Sequence, residues 1–242
     1  MVSAPRGREI FYMKEEIRPM DRGESGFSLL ELLVVVALIL ILTGISLFYL
    51  SGHQKLYKPD DEALQIADIL QEARQRALAQ RETQRVEINL TTNIVTLINE
   101  KDPTITSDDV VLKRFIMFNV NDVKVSARPS QISVNPPEPM PVPTAVFKPS
   151  VYTSSASNNV CTIRFLSNGS AVDAGSNALG SGAVQTGVSL FVWSPKKTDN
   201  TQSEQARAIT IIGSTGSIRM WEYDANLTQT NKWKDSRKSA VL

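Results

Sequence analysis

Residues 26–50 read GFSLLELLVVVALILILTGISLFYL, an apolar run with a single charged residue, Glu31. As a helix at ~1.5 Å per residue, the part from Phe27 to Leu50 would be about 36 Å long, enough to cross a hydrocarbon core of about 30 Å. A secretory signal peptide would have a shorter apolar region and a small-residue cleavage site after it. The sequence therefore predicts a transmembrane helix over 27–50 that the protein retains.

The carboxylate of Glu31 lies near the start of this run. An ionisable group within a membrane span needs a partner, unless it sits at headgroup depth and is hydrated. The residues alone leave both possibilities open.

Gly26, Phe27 and Glu31, followed by the unbroken apolar run, resemble the type IV prepilin signature. The resemblance implies that a prepilin peptidase/methyltransferase cleaves between Gly26 and Phe27 on the cytoplasmic side and N-methylates Phe27. It also implies that the helix stays on the mature protein as membrane anchor and filament core. Glu31 would then bind the new α-amino group of a neighbouring subunit and specify the register of assembly.

The leader preceding this site, residues 1–26, carries five basic and five acidic residues. Since the orientation rule counts Lys and Arg rather than net charge, these basic residues can hold the N-terminus in the cytoplasm. Met20 offers a second possible start, which would leave a leader of residues 20–26. Both starts remain open.

Composition limits the chemistry available to the chain of 242 residues. The formal net charge of +1 does not suggest a polyanion-binding protein. The single cysteine, Cys161, excludes an intrachain disulfide and is predicted to be a buried strand residue. The single histidine, His53, excludes multi-histidine metal sites. We expect no metal, no cofactor and no catalytic residues.

After the apolar run, Pro59 predicts a helix boundary, and Asp60 or Asp61 can cap a second amphipathic segment that ends near Arg81. We assign 51–82 to the periplasmic part of the long helix. Its core-facing stripe is predicted from helical spacing to comprise Ala63, Ile66, Ala67, Leu70, Ala73 and Ala77.

From residue 83 the apolar period changes to two, which predicts strands up to residue 223. Residues 85–90 and 94–98 are predicted to pair as a hairpin. Seven prolines between 129 and 149 indicate a surface loop without strand pairing. Residues 224–242 read as a polar, weakly ordered tail. The predicted fold class is α+β, with a long N-terminal transmembrane and amphipathic helix packed on a β-rich C-terminal head of antiparallel sheets.

The passage from 70–78 into 86–88 resembles the helix-to-strand passage of the FimT/GspH family, the H-type minor pseudopilins. Residues 208–212 and 216–219 resemble that family's closing hairpin. The resemblance implies a single-pass inner-membrane protein with its head in the periplasm, assembled into a pseudopilus that supports type II protein secretion. Its partners would be other pseudopilins or pilins and the inner-membrane assembly platform.

Two alternatives come from other functional classes. Some relatives act in DNA uptake and carry an arginine directly after the glycine of the closing hairpin, where this chain has Ser217 and retains only Arg219. Nucleic-acid binding relies on several Lys or Arg contacts, so contact through Arg219 is a secondary hypothesis and nucleic acid an unlikely partner. A membrane-anchored hydrolase is disfavoured because the sequence has no Gly-x-Ser-x-Gly elbow.

Overall fold

The computed structural model describes 27–102, 105–138, 147–152, 157–185, 187–195, 206–228 and 230–236, with only the backbone described at 48–56. The leader, Gly26 and the side chain of His53 therefore lie outside the described residues. The chain divides into two units, Met1–Phe48 and Tyr49–Leu242, which we call the N-terminal unit and the head.

A single helix, α1, runs from Leu29 to Gln80 and contains Pro59 in its interior. The predicted boundary at Pro59 is wrong, and Asp60 and Asp61 are interior residues rather than caps. A proline inside a helix removes one backbone hydrogen bond and costs about 3 kcal/mol. Contacts within the head offset this cost, since Pro59 is buried and Asp60 forms an ion pair with Arg207. Arg81 then ends the helix in the left-handed conformation, with φ 58°.

The predicted core-facing stripe of α1 is confirmed, because all six of its residues are at most 4% exposed. Ile69 joins them at 1%. The alanines on this stripe allow the helix to approach the strands closely.

The first sheet, sheet A, has six strands: β1 Thr83–Asn89, β2 Ile94–Glu100, β3 Val110–Ile116, β5 Lys148–Pro149, β6 Asn159–Phe165 and β7 Ala171–Val172. Their order is β3-β2-β1-β6-β5, with β7 pairing β6. The predicted hairpin is confirmed as β1 and β2, in antiparallel register from Thr83↔Glu100 to Asn89↔Ile94. The prediction that the proline-rich stretch forms no strand pairing is wrong at its end, where Lys148 lies opposite Val160 and Pro149 opposite Asn159. A proline is tolerated there because β5 lies at the edge of the sheet.

The second sheet, sheet B, has five strands: β4 Lys124–Ser126, β8 Val188–Trp193, β9 Ala206–Ile212, β10 Ser217–Tyr223 and β11 Trp233–Asp235. Their order is β11-β10-β9-β8-β4, and every pair is antiparallel. The prediction of a weakly ordered tail from residue 224 is wrong up to residue 236. There the chain returns to pair Trp233 with Tyr223, because the large apolar ring is buried to 4% exposure.

Two hydrophobic cores organise the head. The larger one joins α1 to one face of each sheet, through residues such as Leu70, Val86 and Ile209. The smaller one covers the opposite face of sheet B and consists mainly of Ile132, Phe191, Ala206, Ala208, Trp221, Tyr223 and Trp233. The observed class is α+β, with a β-rich head of antiparallel sheets, as predicted.

Candidate functional site

In the described part of the N-terminal unit, the helix is capped at its start. The backbone N–H of Leu30 donates to the Ser28 hydroxyl oxygen at 3.2 Å, and that of Leu32 donates to the Ser28 carbonyl at 3.1 Å. Ser28 is thus the N-cap, which places Glu31 in the first turn. A carboxylate there interacts favourably with the helix dipole. The carboxylate of Glu31 therefore helps to stabilise the start of the helix.

The side chains that follow form an exposed apolar surface. Every residue from 29 to 47 is exposed, and Phe27, the first described residue, is 79% exposed. The Thr43 hydroxyl is satisfied within the helix, because it donates to the Ile39 carbonyl at 2.7 Å. Among the described residues one helical segment, Leu29–Leu47, is long and apolar enough to cross a membrane. It fits a membrane anchor.

Of the three residues predicted to act in processing and assembly, Gly26 lies outside the described residues. Phe27 lies just before the helix, and Glu31 lies in its first turn. Within the described part of the chain, Glu31 has no ion-pair partner. Its side chain is exposed.

Arg219 occupies an ion pair in the head. Its Nη1 lies 2.8 Å from Glu138 Oε1, and the other oxygen of Glu138 accepts a hydrogen bond from the Thr210 hydroxyl at 2.8 Å. Thr210 in turn accepts from the Trp221 indole at 2.9 Å. Arg219 thus helps to hold the segment before residue 139 against β9 and β10, which reduces its availability to a phosphate.

The sequence did not reveal an ion network on the outer face of sheet A. Arg85 on β1 contacts three carboxylates: Glu100 through Nη1 at 2.6 Å, Asp109 through Nη2 at 2.9 Å and Glu87 through Nε at 2.9 Å. Arg164 on β6 also donates to Glu100, at 2.5 and 2.9 Å. The alternation of polar residues along β1 placed Arg85 and Glu87 on one face of the strand. Only the fold shows that this face is covered.

Two connecting segments cover the network. The Tyr152 ring lies over the Arg85 guanidinium, with 3.8 Å between Cζ and the ring centroid. Gly180 lies against Arg164 with φ 73°, and a Cβ there would be 1.4 Å from Arg164 Nη1. A glycine at position 180 therefore lets the loop pack on the guanidinium.

Burial sets the ionisation of this network. Desolvation raises the pKa of Glu87, and the charge of Arg85 opposes that shift. Desolvation likewise raises the pKa of Asp109 against the same opposing charge. Burial disfavours the charged form of Arg85, but its anionic neighbours outweigh this effect and raise its pKa. The guanidinium therefore stays charged and is shared among more carboxylates than it can neutralise.

Cys161 is buried on β6, as predicted, and burial raises the pKa of its thiol to about 12. Such a thiol is not a nucleophile at neutral pH. Among the described residues, no group of three or more His, Cys, Asp or Glu side chains is placed to hold a metal ion.

A family model described as the prokaryotic N-terminal methylation motif matches residues 21–47. The match spans the apolar run and the residues on both sides of the predicted cleavage site. The chain therefore carries the N-terminal motif of type IV pilin-like proteins, whose members are structural subunits. No curated protein and no solved structure matches the chain.

Proposed function

We propose that this chain is a minor pseudopilin or pilin subunit that is processed between Gly26 and Phe27 and assembled into a periplasmic pseudopilus supporting type II protein secretion. One observation carries the proposal: the methylation motif over 21–47 contains an exposed apolar helical segment, and a β-rich head follows it in the chain. This combination suits a subunit that is stored in the membrane and withdrawn from it into a filament.

Processing would create a charged group that can act in assembly. Cleavage after Gly26 would give Phe27 a new α-amino group, and N-methylation would keep it a cation. Within a filament core, the carboxylate of Glu31 on one subunit and this amine on the next would attract strongly because little water separates them. An unpaired carboxylate there would tend to protonate, so the pairing favours a fixed stagger between helices.

The topology we propose has the N-terminus in the cytoplasm, one inner-membrane span and the head in the periplasm. The Lys and Arg residues of the leader support this orientation. In the H-type pseudopilin assignment, the partners are other pseudopilins, the inner-membrane assembly platform and the prepilin peptidase. This assignment rests on the resemblance of the passage from 70–78 into 86–88 to that family. The role is structural, and the processing enzyme supplies the only catalysis it needs.

Intact-mass analysis tests the processing step. The full chain would be co-expressed in membranes with a prepilin peptidase or with an inactive variant of that enzyme. We expect a product that begins at Phe27 and carries one added methyl group, formed only with the active peptidase. A product that retains residues 20–26, or that is cut beyond Leu50, would contradict the proposal.

The alternative is a minor pilin of a type IV pilus that acts in pilus priming or DNA uptake. The ion pair of Arg219 with Glu138 disfavours direct DNA contact through that residue. A salt-dependent mobility shift of DNA by the processed full chain in detergent would support this alternative. Absence of binding at low salt would remove the DNA-uptake role and leave pseudopilin function untouched.

A further inference from the structure

A cavity of about 280 Å³ opens on the outer face of sheet A above the ion network. We call it the Arg85 recess. Its charged wall comprises Arg85, Glu87 and Asp109, and its remaining wall includes Val111, Tyr152 and Ala178. The volume is smaller than that of a typical site for a drug-sized ligand, but is ample for one long amino-acid side chain.

The charges around the Arg85 recess are unbalanced. Three carboxylates, those of Glu87, Glu100 and Asp109, share the guanidinium groups of Arg85 and Arg164. Both arginines bind Glu100, so Arg85 alone faces the two carboxylates that line the cavity. The network lacks one positive charge on the side that opens to the cavity.

Glu87 lies at the cavity in an ion pair with Arg85. Arg85 Nε and Glu87 Oε1 lie 2.9 Å apart, although the two groups are not aligned as a hydrogen bond. The side chain of Glu87 is only 13% exposed, so water has little access to it. An ionised carboxylate accepts more than one hydrogen bond, so a charged donor that enters the cavity would add one to the ion pair that Glu87 already makes.

The apolar wall suits the stem of a long basic side chain. Lys and Arg pack their methylene groups against apolar surface and keep the charged end with polar partners. Val111 and the ring of Tyr152 would contact the methylene groups, while Glu87 and Asp109 would accept hydrogen bonds from the charged end. An acidic ligand would instead meet an excess of negative charge.

The recess adjoins an open sheet edge. Among the described strands, β3 pairs only with β2, so its other side is an edge of sheet A. The strand exposes Val111 by 53% and Ile116 by 79%. Open edges of this kind add an extended segment of another chain through main-chain hydrogen bonds. Val111 belongs to both features, so a segment that pairs with β3 would pass beside the recess.

We propose that the Arg85 recess binds a Lys or Arg side chain from a neighbouring protein that pairs an extended segment with the β3 edge. That this neighbour is another subunit of the filament rests on the proposed function. The recess itself does not, because its chemistry is independent of processing and membrane insertion.

The first experiment uses n-butylammonium chloride as the probe for a lysine side chain. Thermal unfolding of the full chain in detergent would be followed with this salt, with sodium chloride at equal ionic strength and with n-butanol. We expect the unfolding midpoint to rise with the ammonium salt beyond its change in either control. The rise should be lost in Glu87→Gln and kept in Asp68→Asn, which removes an exposed carboxylate of α1. Equal midpoints in all three solutions would overturn the proposal even if Glu87→Gln fails to fold.

The second experiment identifies the neighbour. A carbodiimide joins a carboxylate to an amine only when the two are in contact, so membranes of producing cells would be treated with it and digested for mass spectrometry. We expect Glu87 or Asp109 linked to a lysine of another protein, and loss of that linked protein in Leu112→Pro, which blocks pairing at the β3 edge. Links that persist at full yield in Leu112→Pro would refute the edge-pairing part. Links to a protein outside the filament would refute the proposed neighbour while leaving the recess as a site for basic side chains.

Discussion

Asp60, one residue after the proline in α1, forms an ion pair with Arg207 on β9, with 3.0 Å between Asp60 Oδ2 and Arg207 Nη2. This contact joins the helix to sheet B where Pro59 weakens the helix. Arg207 also lies 3.4 Å from Glu222 on β10. The helix therefore continues through Pro59 because contacts within the head fix the residues that follow it.

Asp60→Ala should destabilise the head by about 1–2 kcal/mol, because it leaves the largely buried Arg207 with one carboxylate fewer. The measurement is urea unfolding of the full chain in detergent, followed by tryptophan fluorescence. The control is Asp61→Ala, an exposed neighbour that should change stability by less than about 0.5 kcal/mol. Equal effects of the two substitutions would contradict a role for the ion pair.

Trp233→Ala should cost about 3–5 kcal/mol, as expected for a buried aromatic side chain. Trp233 packs edge-on against Tyr223, with ring centroids 5.2 Å apart, and donates from its indole to the Val134 carbonyl at 2.9 Å. Unfolding by urea measures the loss. Lys234→Ala, at a residue with a 45% exposed side chain, is the matched control and should have little effect. A neutral Trp233→Ala would mean that β11 adds nothing to the stability of sheet B.

Local periodicity was sufficient to predict the elements whose partners lie nearby in the chain. The stripe from Ala63 to Ala77 follows from the helical repeat, and the β1–β2 hairpin follows from alternation on either side of a short turn. The position of Glu31 at the start of the anchor follows from the apolar run alone.

Features that depend on distant residues could not be predicted in this way. Pro59 reads as a helix boundary until Arg207, far along the chain, is placed beside Asp60. Trp233 reads as part of a polar tail until Tyr223 and Phe191 are brought against it. Likewise Arg85 reads as a solvent-facing strand residue, because nothing local indicates that Tyr152 covers it.

Glu62→Gln should stabilise the head at neutral pH. Glu62 is 1% exposed, and its Oε2 accepts from the Phe118 N–H at 2.9 Å while its Oε1 has no hydrogen bond within the described residues. Burial raises its pKa above the ordinary 4.5, although the Phe118 bond opposes the shift. The folded state therefore binds the proton more tightly than the unfolded state. The contribution of Glu62 to the stability of the head is present below its pKa in the unfolded state. That contribution is lost as the pH rises through its pKa in the folded state.

Urea midpoints of wild type and Glu62→Gln between about pH 4 and pH 8 measure this effect. The advantage of the variant should shrink as the pH falls, because wild-type Glu62 becomes neutral as well. Glu72→Gln is the control, and it should change the stability of the head in the opposite direction. Burial opposes ionisation of Glu72, but its bonds with Arg76 and Lys113 outweigh that and lower its pKa. Wild type should therefore be more stable than Glu72→Gln at neutral pH, and this difference in stability should vanish in acid. If the urea midpoints of wild type and Glu62→Gln differ by the same amount at every pH, the raised pKa of Glu62 is refuted.

Glu31→Ala should leave membrane insertion and head folding intact while impairing incorporation into filaments. The apolar surface that drives insertion is unchanged, and the lost interaction with the helix dipole is worth only about 0.3–1 kcal/mol. Filaments sheared from producing cells would be compared with the membrane fraction by immunoblotting. Glu31→Asp keeps the charge on a shorter side chain and should retain part of the incorporation. If Glu31→Ala enters filaments as well as wild type does, the carboxylate only interacts with the helix dipole and is hydrated at headgroup depth.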